Sequence, residues 1–360
     1  MSIEERYFTE ASSVLHPVDV PISSGPPTIY QQCRKLGGTF DRIFGFPGHI
    51  FANFSPSIIA HDGRKIIAWR AQLRPFVFNE SGNYQYLQQM PTEIWISEIR
   101  NNQLIRPKRL FHKPHKLSHE DPRLFIGSDG ELYCQFVVST YATTLRSKYS
   151  RKFNKSKVAV AHVDDYLCGG NVTIPPIGNN SNAEAWEKNW CFFADGQELK
   201  LLYSVLPLVI HSDSGAKTQI DSTCLQTLVT GTSATFNSLP PVKYGDHYIV
   251  FYHWKQMAMD ESGSGSPDLI YWLNAFMMDK DLSMITQIRK KPIFIGSKND
   301  VRINWTDAFG TVKSRQPCCC LPFGLIIEED ELIMSIGIND AFCGLARLPI
   351  ESILSGMQDM

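Results

Sequence analysis

Apolar and polar positions along the chain alternate at the period of a strand far more often than they recur at the period of a helix. Five times a turn dipeptide or its equivalent is followed by an apolar, alternating segment: HDGRKIIAWR (61–70), SDGELYCQFV (128–137), ADGQELKLLYSV (194–205), KYGDHYIVFYHW (243–254) and EEDELIMSIGIND (328–340). Asp-Gly between apolar segments is a strong hairpin signal, because glycine reaches positive φ without a Cβ clash. Short apolar stretches precede the turns (PSIIA, PRLFI, NWCFF, LPPV, FGLII), so each unit reads as strand, tight turn, strand. After most of them comes another strand-like segment, at 93–99, 157–163, 269–279 and 342–350, rich in the residues that suit a pleated, half-buried surface. Only Thr28 to Lys35 and Ile350 to Gln358 read as amphipathic helices.

An all-β chain with about five four-stranded units predicts a five-bladed β-propeller, with two packed β-sandwiches as the alternative. The turns are spaced 67, 66, 49 and 85 residues apart, which suits blades carrying insertions. Residues 1–45 are expected to form an N-terminal strap over the first blade, and 46–360 a single propeller domain. Turn-forming residues at 167–185 and the polar Ser/Gly segment 258–268 read as loops, and the basic run Arg146 to Lys157 as a solvated face.

Composition narrows the class. The 360 residues are 43% apolar and carry a formal charge of -1, so a sizeable core is available and no global basic field argues for nucleic acid. No apolar run approaches the roughly 18 residues of a membrane helix. The N-terminal MSIEERYFTE has no apolar block of the secretory type, and the nine cysteines, three of them consecutive (Cys318 to Cys320), show no zinc-ligand spacing. The expectation is a cytoplasmic globular protein with reduced thiols and no metal or organic cofactor.

In a propeller, polar residues at the same phase of successive repeats converge on the central channel. Such clusters lie beside all five hairpins: Ser55-Pro56-Ser57 with Arg70, His119-Glu120-Asp121-Pro122-Arg123, Glu187-Lys188-Asn189-Trp190, Tyr252-His253-Trp254, and Asn339-Asp340. Charge beside an apolar strand is costly unless it pairs or stays wet. Their recurrence marks a site. On the residues alone, Asp121 with Arg123 reads better as the end of a loop with a surface ion pair than as chemistry, and Glu187 with Lys188 reads equally well as a surface pair. Trp69, Trp190 and Trp254 flank these positions, either as stacking platforms for sugar faces or as packing between blades.

The segments HEDPRLF, EKNW, the YHW strand, Tyr271 in LIYWLNAFMMD and LPFGLIIEEDELIMSIGIND together resemble glycoside hydrolase family 130, in order, from about Phe54 to Pro349. That family consists of five-bladed propellers that are mostly β-mannoside phosphorylases, with some β-mannosidases; related propeller mannosyltransferases share the architecture. The resemblance implies an inverting enzyme of β-mannosides or related β-glycosides. It makes Asp121 the general acid, acting through a hydroxyl of the bound mannose and held partly dry so that its pKa rises. Arg123 would orient the sugar or a neighbouring acid. Ser55, Arg70, Glu187, Lys188, Asn189 and Asp340 would contact the sugar, and Lys188, His253 and Tyr271 would hold phosphate or a donor.

The chain also departs from the family. Ser55 stands where a sugar-binding Asn is usual. No arginine appears at the Leu202–Pro207 stretch, nor a basic residue near Thr230–Ser233, where phosphate is usually gripped. Phosphorolysis with inorganic phosphate as co-substrate, hydrolysis with Glu120, Glu187 or Asp340 as base, and mannosyl transfer from a nucleotide sugar or sugar phosphate all stay open; a non-catalytic glycan-binding propeller ranks last. The partners expected are an oligosaccharide or sugar phosphate, with a homo-oligomer left open.

Overall fold

The computed structural model describes residues 27–50, 52–72, 92–111, 118–140, 155–175, 188–229, 234–258, 268–297, 300, 304–306, 312–314, 318–339 and 342–360. Helix α1 (Ile29–Lys35) begins at Thr28, whose hydroxyl accepts from the Gln31 amide while the Gln31 side chain accepts from the Thr28 amide, a capping box that satisfies two otherwise orphaned donors. Strand β1 (Thr39–Arg42) follows. The chain then builds β2 (Ala52–His61), β3 (Arg64–Gln72), β4 (Glu93–Arg100) and β5 (Gln103–Arg109) as one antiparallel sheet. A second sheet contains β6 (Ser118–Ile126), β7 (Leu132–Thr140), β8 (Lys155–Val163) and β9 (Gly169–Thr173). A third contains β10 (Cys191–Asp195), β11 (Glu198–Val205), β12 (Leu208–Ser212) and β13 (Lys217–Ile220).

After the short helix α2 (Thr223–Gln226) comes a larger sheet. It gathers β14 (Ala234–Asn237), β15 (Val242–Tyr244), β16 (His247–Ala258), β17 (Asp268–Asp279), β18 (Ile285–Arg289) and β19 (Phe294–Ile295). A separate ribbon pairs β20 (Asn304–Thr306) with β21 (Val312–Ser314). The last sheet holds β22 (Cys320–Glu328), β23 (Glu331–Ile338) and β24 (Phe342–Pro349), followed by helix α3 (Glu351–Leu354) and β25 (Met357–Asp359). The arrangement is that of a β-propeller. The innermost strands β2, β6 and β22 pack on one another, and β10 packs on β6.

Four sheets have the regular four-stranded form expected from the repeats, and the remaining large one has seven strands. Its irregularity has a local cause. Between β14 and β15 lies Ser238-Leu239-Pro240-Pro241, where two prolines lack the N–H a ladder needs, so both short strands pair separately with β16. The C-terminal β25 adds to β18.

The five predicted tight turns each join two paired strands. Asp62 and Gly63 between β2 and β3 have φ of 50° and 71°, the left-handed pair a two-residue hairpin needs. Other expectations change. Residues 350–358 do not form one helix: α3 ends at Leu354, and the chain returns to the sheet as β25 because Gly356 lets the Arg289 guanidinium lie against its backbone. Part of the turn-rich 167–185 stretch is the edge strand β9, while 176–185 lies outside the described residues, as do 1–26, 146–154 and 259–267. Residues 39–42 pair not with the first sheet but with β24 in the last, and Phe44 then bridges to Gln103 at the first sheet's β5. The N-terminal segment thus stitches the last sheet to the first.

Between sheets, polar side chains satisfy the inner strands' backbone. Ser335 on β23 accepts from the Ile58 amide (3.0 Å), Ser57 on β2 from the Leu124 amide (2.8 Å), and Gln135 on β7 from the Phe192 amide (3.3 Å). All three side chains are fully buried, where an unpaired amide would be costly. All nine cysteines are free thiols. Among the described residues, no helix is long and apolar enough to cross a membrane.

Candidate active site

The inner strands carry a repeated irregularity. A β-bulge interrupts β2 between Phe54 and Ser57, β6 between Glu120 and Arg123, and β22 between Pro322 and Gly324. In each the bulge holds a proline (Pro56, Pro122) or begins at one (Pro322), which cannot donate to the ladder. Ser55 and Asp121, just before the first two of these prolines, have φ of 51° and 50°, and Asn189, at the entry to β10, has φ of 64°. Left-handed backbone is costly for a residue with a Cβ, and a bulge re-aims the side chain it carries. The three residues sit at the same phase of successive sheets. They meet: the Ser55 hydroxyl donates to Asp121 Oδ1 (2.9 Å), and Arg123 Nη2 donates to Asn189 Oδ1 (3.4 Å).

Arg70, on β3, spans this group. Its Nη1 lies 3.6 Å from Asp121 Oδ1, its Nη2 lies 3.4 Å from Glu120 Oε1, and its Nε donates to Thr92 Oγ1 (3.0 Å). Its guanidinium carbon stands 4.8 Å from the centre of the Phe54 ring, a cation–π contact. Arg123 is 1% exposed and is spent inside the protein. It donates to the carbonyls of Ser238 (3.3 Å) and Asp121 (3.5 Å) as well as to Asn189, and stands 5.0 Å from the Phe323 ring centre. It therefore orients Asp121 and Asn189, and ties three sheets together.

A second cluster comes from the seven-stranded sheet. His253 Nδ1 and the Ser238 hydroxyl are 2.8 Å apart, the imidazole stacks on Phe236 (5.3 Å), and Tyr271 lies 6.0 Å away. Lys255, two residues along β16 on the same face, holds its ammonium 4.9 Å from the Phe236 ring centre and 5.2 Å from that of Tyr271. The register explains the grouping, since Lys255 pairs across the ladder with Tyr271 and His253 with Phe236.

Charge sets the protonation states. Burial alone would raise the Asp121 carboxyl, but Arg70, Lys188, Arg123 and the Ser55 hydroxyl together hold it below the ordinary carboxylate range. The expectation of a raised acid is thus reversed. Burial, reinforced by Arg123 and Lys255, pushes His253 well below its usual range, so the imidazole is neutral at neutral pH. Further along the inner strands the lining turns apolar: a cavity of about 190 Å³ is bounded by residues including Ile58, Leu124, Phe192, Pro240 and Leu325.

Of the residues expected at a site, the structure brings together Ser55, Arg70, Asp121, Arg123 and Asn189 through direct contacts, and His253 with Tyr271 beside them. Lys188 acts electrostatically on both Asp121 and His253. Glu187, Asp340 and Thr230–Ser233 lie outside the described residues. Trp69 (0% exposed), Trp190 (1%) and Trp254 (6%) are buried; Trp69 packs on Phe46 and Trp95, Trp190 on Tyr203, and Trp254 on Trp272, so all three serve packing. Tyr203, in the stretch without an arginine, packs against Trp190 and His211. Thr92, Ser118, Ser238 and Lys255 were not anticipated. Of these, only Lys255 had a readable signal, its two-residue spacing from His253.

The chain matches no protein-family profile and no curated protein sequence. Among solved structures it is similar to the β-1,2-mannobiose phosphorylase of Listeria innocua in complex with β-1,2-mannobiose, at 15% identity over 96% of this chain and 97% of that one, with a TM-score of 0.52. It is similar to MPT-4, a mannose phosphorylase of Leishmania mexicana in complex with phosphate, at 10% identity over 89% and 90%, TM-score 0.53. MPT-1, a GDP-Man-dependent mannosyltransferase of the same organism, aligns at 13% identity over 90% and 95%, TM-score 0.53. At such identities the likeness establishes a shared propeller fold along nearly the whole chain. The neighbours belong to the groups that the sequence resembles.

Proposed function

We propose that the chain is a carbohydrate-active enzyme that cleaves or forms β-mannosidic, or closely related β-glycosidic, bonds with inversion, and that Asp121 is its general acid. The observation that carries this reading is the convergence, from three successive sheets, of Ser55 and Arg70 on the Asp121 carboxylate at the bulges of the inner strands, with Arg123 linking Asp121 to Asn189. The catalytic domain spans residues 46–360, with 1–45 as a strap. The seven-stranded sheet counts as its fifth blade: β14 and β15 form one interrupted inner strand, and β18 and β19 both line the outer edge of β17.

In the forward reaction Asp121 gives its proton toward the glycosidic oxygen, by way of a sugar hydroxyl. The bond from that oxygen to the anomeric carbon breaks, and a nucleophile bonds to the carbon from the opposite face. Arg70, Lys188 and Asn189, with Glu187 and Asp340, hold the sugar; Lys188, His253 and Tyr271 face the nucleophile or donor. When the nucleophile is phosphate, its own oxygen attacks and sugar 1-phosphate leaves. When it is water, a second carboxylate must take the proton.

The charge of the site favours a phosphate-bearing co-substrate over water. Among the described residues Arg70, Lys188 and Arg123 act on Asp121 and keep it ionised, and Lys255 adds a further positive charge beside His253. An incoming anion offsets them and lets the carboxyl take up the proton it must donate. The same argument supports transfer from a nucleotide sugar as the second reading.

Product analysis with β-linked mannobioses, with and without inorganic phosphate, and with GDP-mannose plus an acceptor, separates the outcomes. Sugar 1-phosphate formed only with phosphate is the expected result. Free mannose regardless of phosphate would assign hydrolysis, and product only from GDP-mannose would assign transfer. No product and no sugar binding in any arm would reject the reading.

A further inference from the structure

Each nitrogen of the Arg70 guanidinium has a partner, and the partners are of different kinds. Nη1 faces Asp121, Nη2 faces Glu120, and Nε points to Thr92, while the ring of Phe54 supports its face. The Arg70 and Glu120 side chains are 9% and 8% exposed, so little water competes for these directions. Thr92 is itself immobilised. Its hydroxyl donates to the His119 carbonyl (2.7 Å) and lies 2.7 Å from the Ser118 hydroxyl, and its amide donates to Ser118 Oγ (3.2 Å). A threonine hydroxyl has one proton and two lone pairs. With that proton spent on the His119 carbonyl, Ser118 is the donor in the Thr92–Ser118 pair and Thr92 Oγ1 accepts from both Ser118 and Arg70. The oxygen is saturated and fixed in direction. His119 and Glu120 adjoin Asp121, so Thr92 registers Arg70 against the backbone that carries the carboxylate.

We propose that Thr92 is a positioning residue that aims Arg70 at Asp121 by fixing Nε, and that Glu120 is its counterweight, drawing Nη2 to one side and competing with Asp121 for the guanidinium. The geometry gives the pair opposite effects. Losing the Thr92 hydroxyl frees the guanidinium to turn away from Asp121, while neutralising Glu120 removes a competitor for Arg70 and a like charge beside the acid. This role for Glu120 differs from that of a base for water. The proposal rests on the reading of Asp121 as the acid for its importance, but not for its test.

The groups facing Asp121 are Arg70 from β3, Glu120 and Arg123 from β6, Lys188 before β10, His253 from β16 and the Ser55 hydroxyl from β2. Only Arg70 and Glu120 are altered in their arrangement by the two changes. The test follows the Asp121 carboxyl carbon by NMR in the full chain carrying labelled aspartate, with Asp121→Asn identifying the signal, across pH. Thr92→Val is expected to raise the Asp121 midpoint and Glu120→Gln to lower it, each by about half a pH unit or more. Thr92→Ser keeps the wild-type midpoint. A Thr92→Val midpoint at or below wild type, or a Glu120→Gln midpoint at or above it, would overturn the proposal; should Thr92→Val not fold, the sign in Glu120→Gln decides. An inactive wild-type enzyme on every mannoside would defeat the functional reading and leave these midpoints unaffected, so the two failures are distinguishable.

Discussion

Arg123 illustrates what a single residue does in this site and why its role is easily misread. Next to Asp121-Pro122 in sequence, it invites the role of orienting the sugar or a neighbouring acid, or of a surface partner. In the structure it is 1% exposed and spends its donors on Ser238, Asp121 and Asn189. A lysine cannot reproduce this fork of donors. Arg123→Lys is expected to cost about 1–3 kcal/mol, read as a lower Tm and denaturation midpoint, because buried acceptors lose their partners; an unchanged Tm would refute the bridging role. Asp121 and Asn189 were legible because ordered motifs carried them, Ser55 and Arg70 because they form the polar cluster beside the first hairpin. The ionisation of Asp121 was not, because its sign depends on Arg70 and Lys188, which arrive from other sheets. Thr92, Ser118 and Ser238 were hidden for the same reason: hydroxyls acquire meaning only from what lies opposite.

At the scale of elements, turns were readable and breaks were not. Asp-Gly pairs fix hairpins through local backbone chemistry, whereas the bulges at Ser55-Pro56 and Asp121-Pro122 place non-glycine residues at positive φ, which only the packed inner strands make tolerable. Helix α1 was legible through its amphipathic pattern, but its anchor is distant. The Asp300 carboxylate accepts from the Ile29 amide (2.7 Å), and its other oxygen is buried without a partner among the described residues. Burial raises this carboxyl to about 7, against the pull of the Ile29 amide. A carboxyl raised in the folded state stabilises fully below its unfolded pKa, and that stability is lost as pH rises through the folded value. Docking of α1 should therefore weaken between about pH 4 and 7. Asp300→Asn keeps an acceptor for Ile29 without the charge, and is expected to gain about 1–2 kcal/mol at pH 8 and little at pH 4. Equal effects at both pH values in thermal melts would contradict this.

For the whole molecule, the all-β class and the propeller arrangement were legible, but the way the chain closes was not. Four regular sheets follow the repeats, and the seven-stranded one departs where Pro240-Pro241 breaks its inner strand. Closure depends on β1, which leaves α1 to pair with β24 and places Phe40 against Gly344. A Cβ on Gly344 would stand 2.1 Å from the Phe40 ring. Gly344→Ala is thus expected to expel Phe40 and destabilise the propeller by about 1–3 kcal/mol, read in denaturant unfolding; no loss would mean that β1 does not hold the last sheet to the chain's start. A ring of sheets closed in this way holds residues from separate sheets, such as Ser55, Asp121 and Asn189, at fixed distances around one axis. The most direct test of the account compares wild type and Asp121→Asn for turnover of β-linked mannobioses in the presence of phosphate, with circular dichroism to verify the fold. Wild type is expected to form product and the variant to lose about 10²–10⁴-fold in kcat, with the fold and sugar binding retained. Undiminished turnover by a folded Asp121→Asn protein would contradict the account.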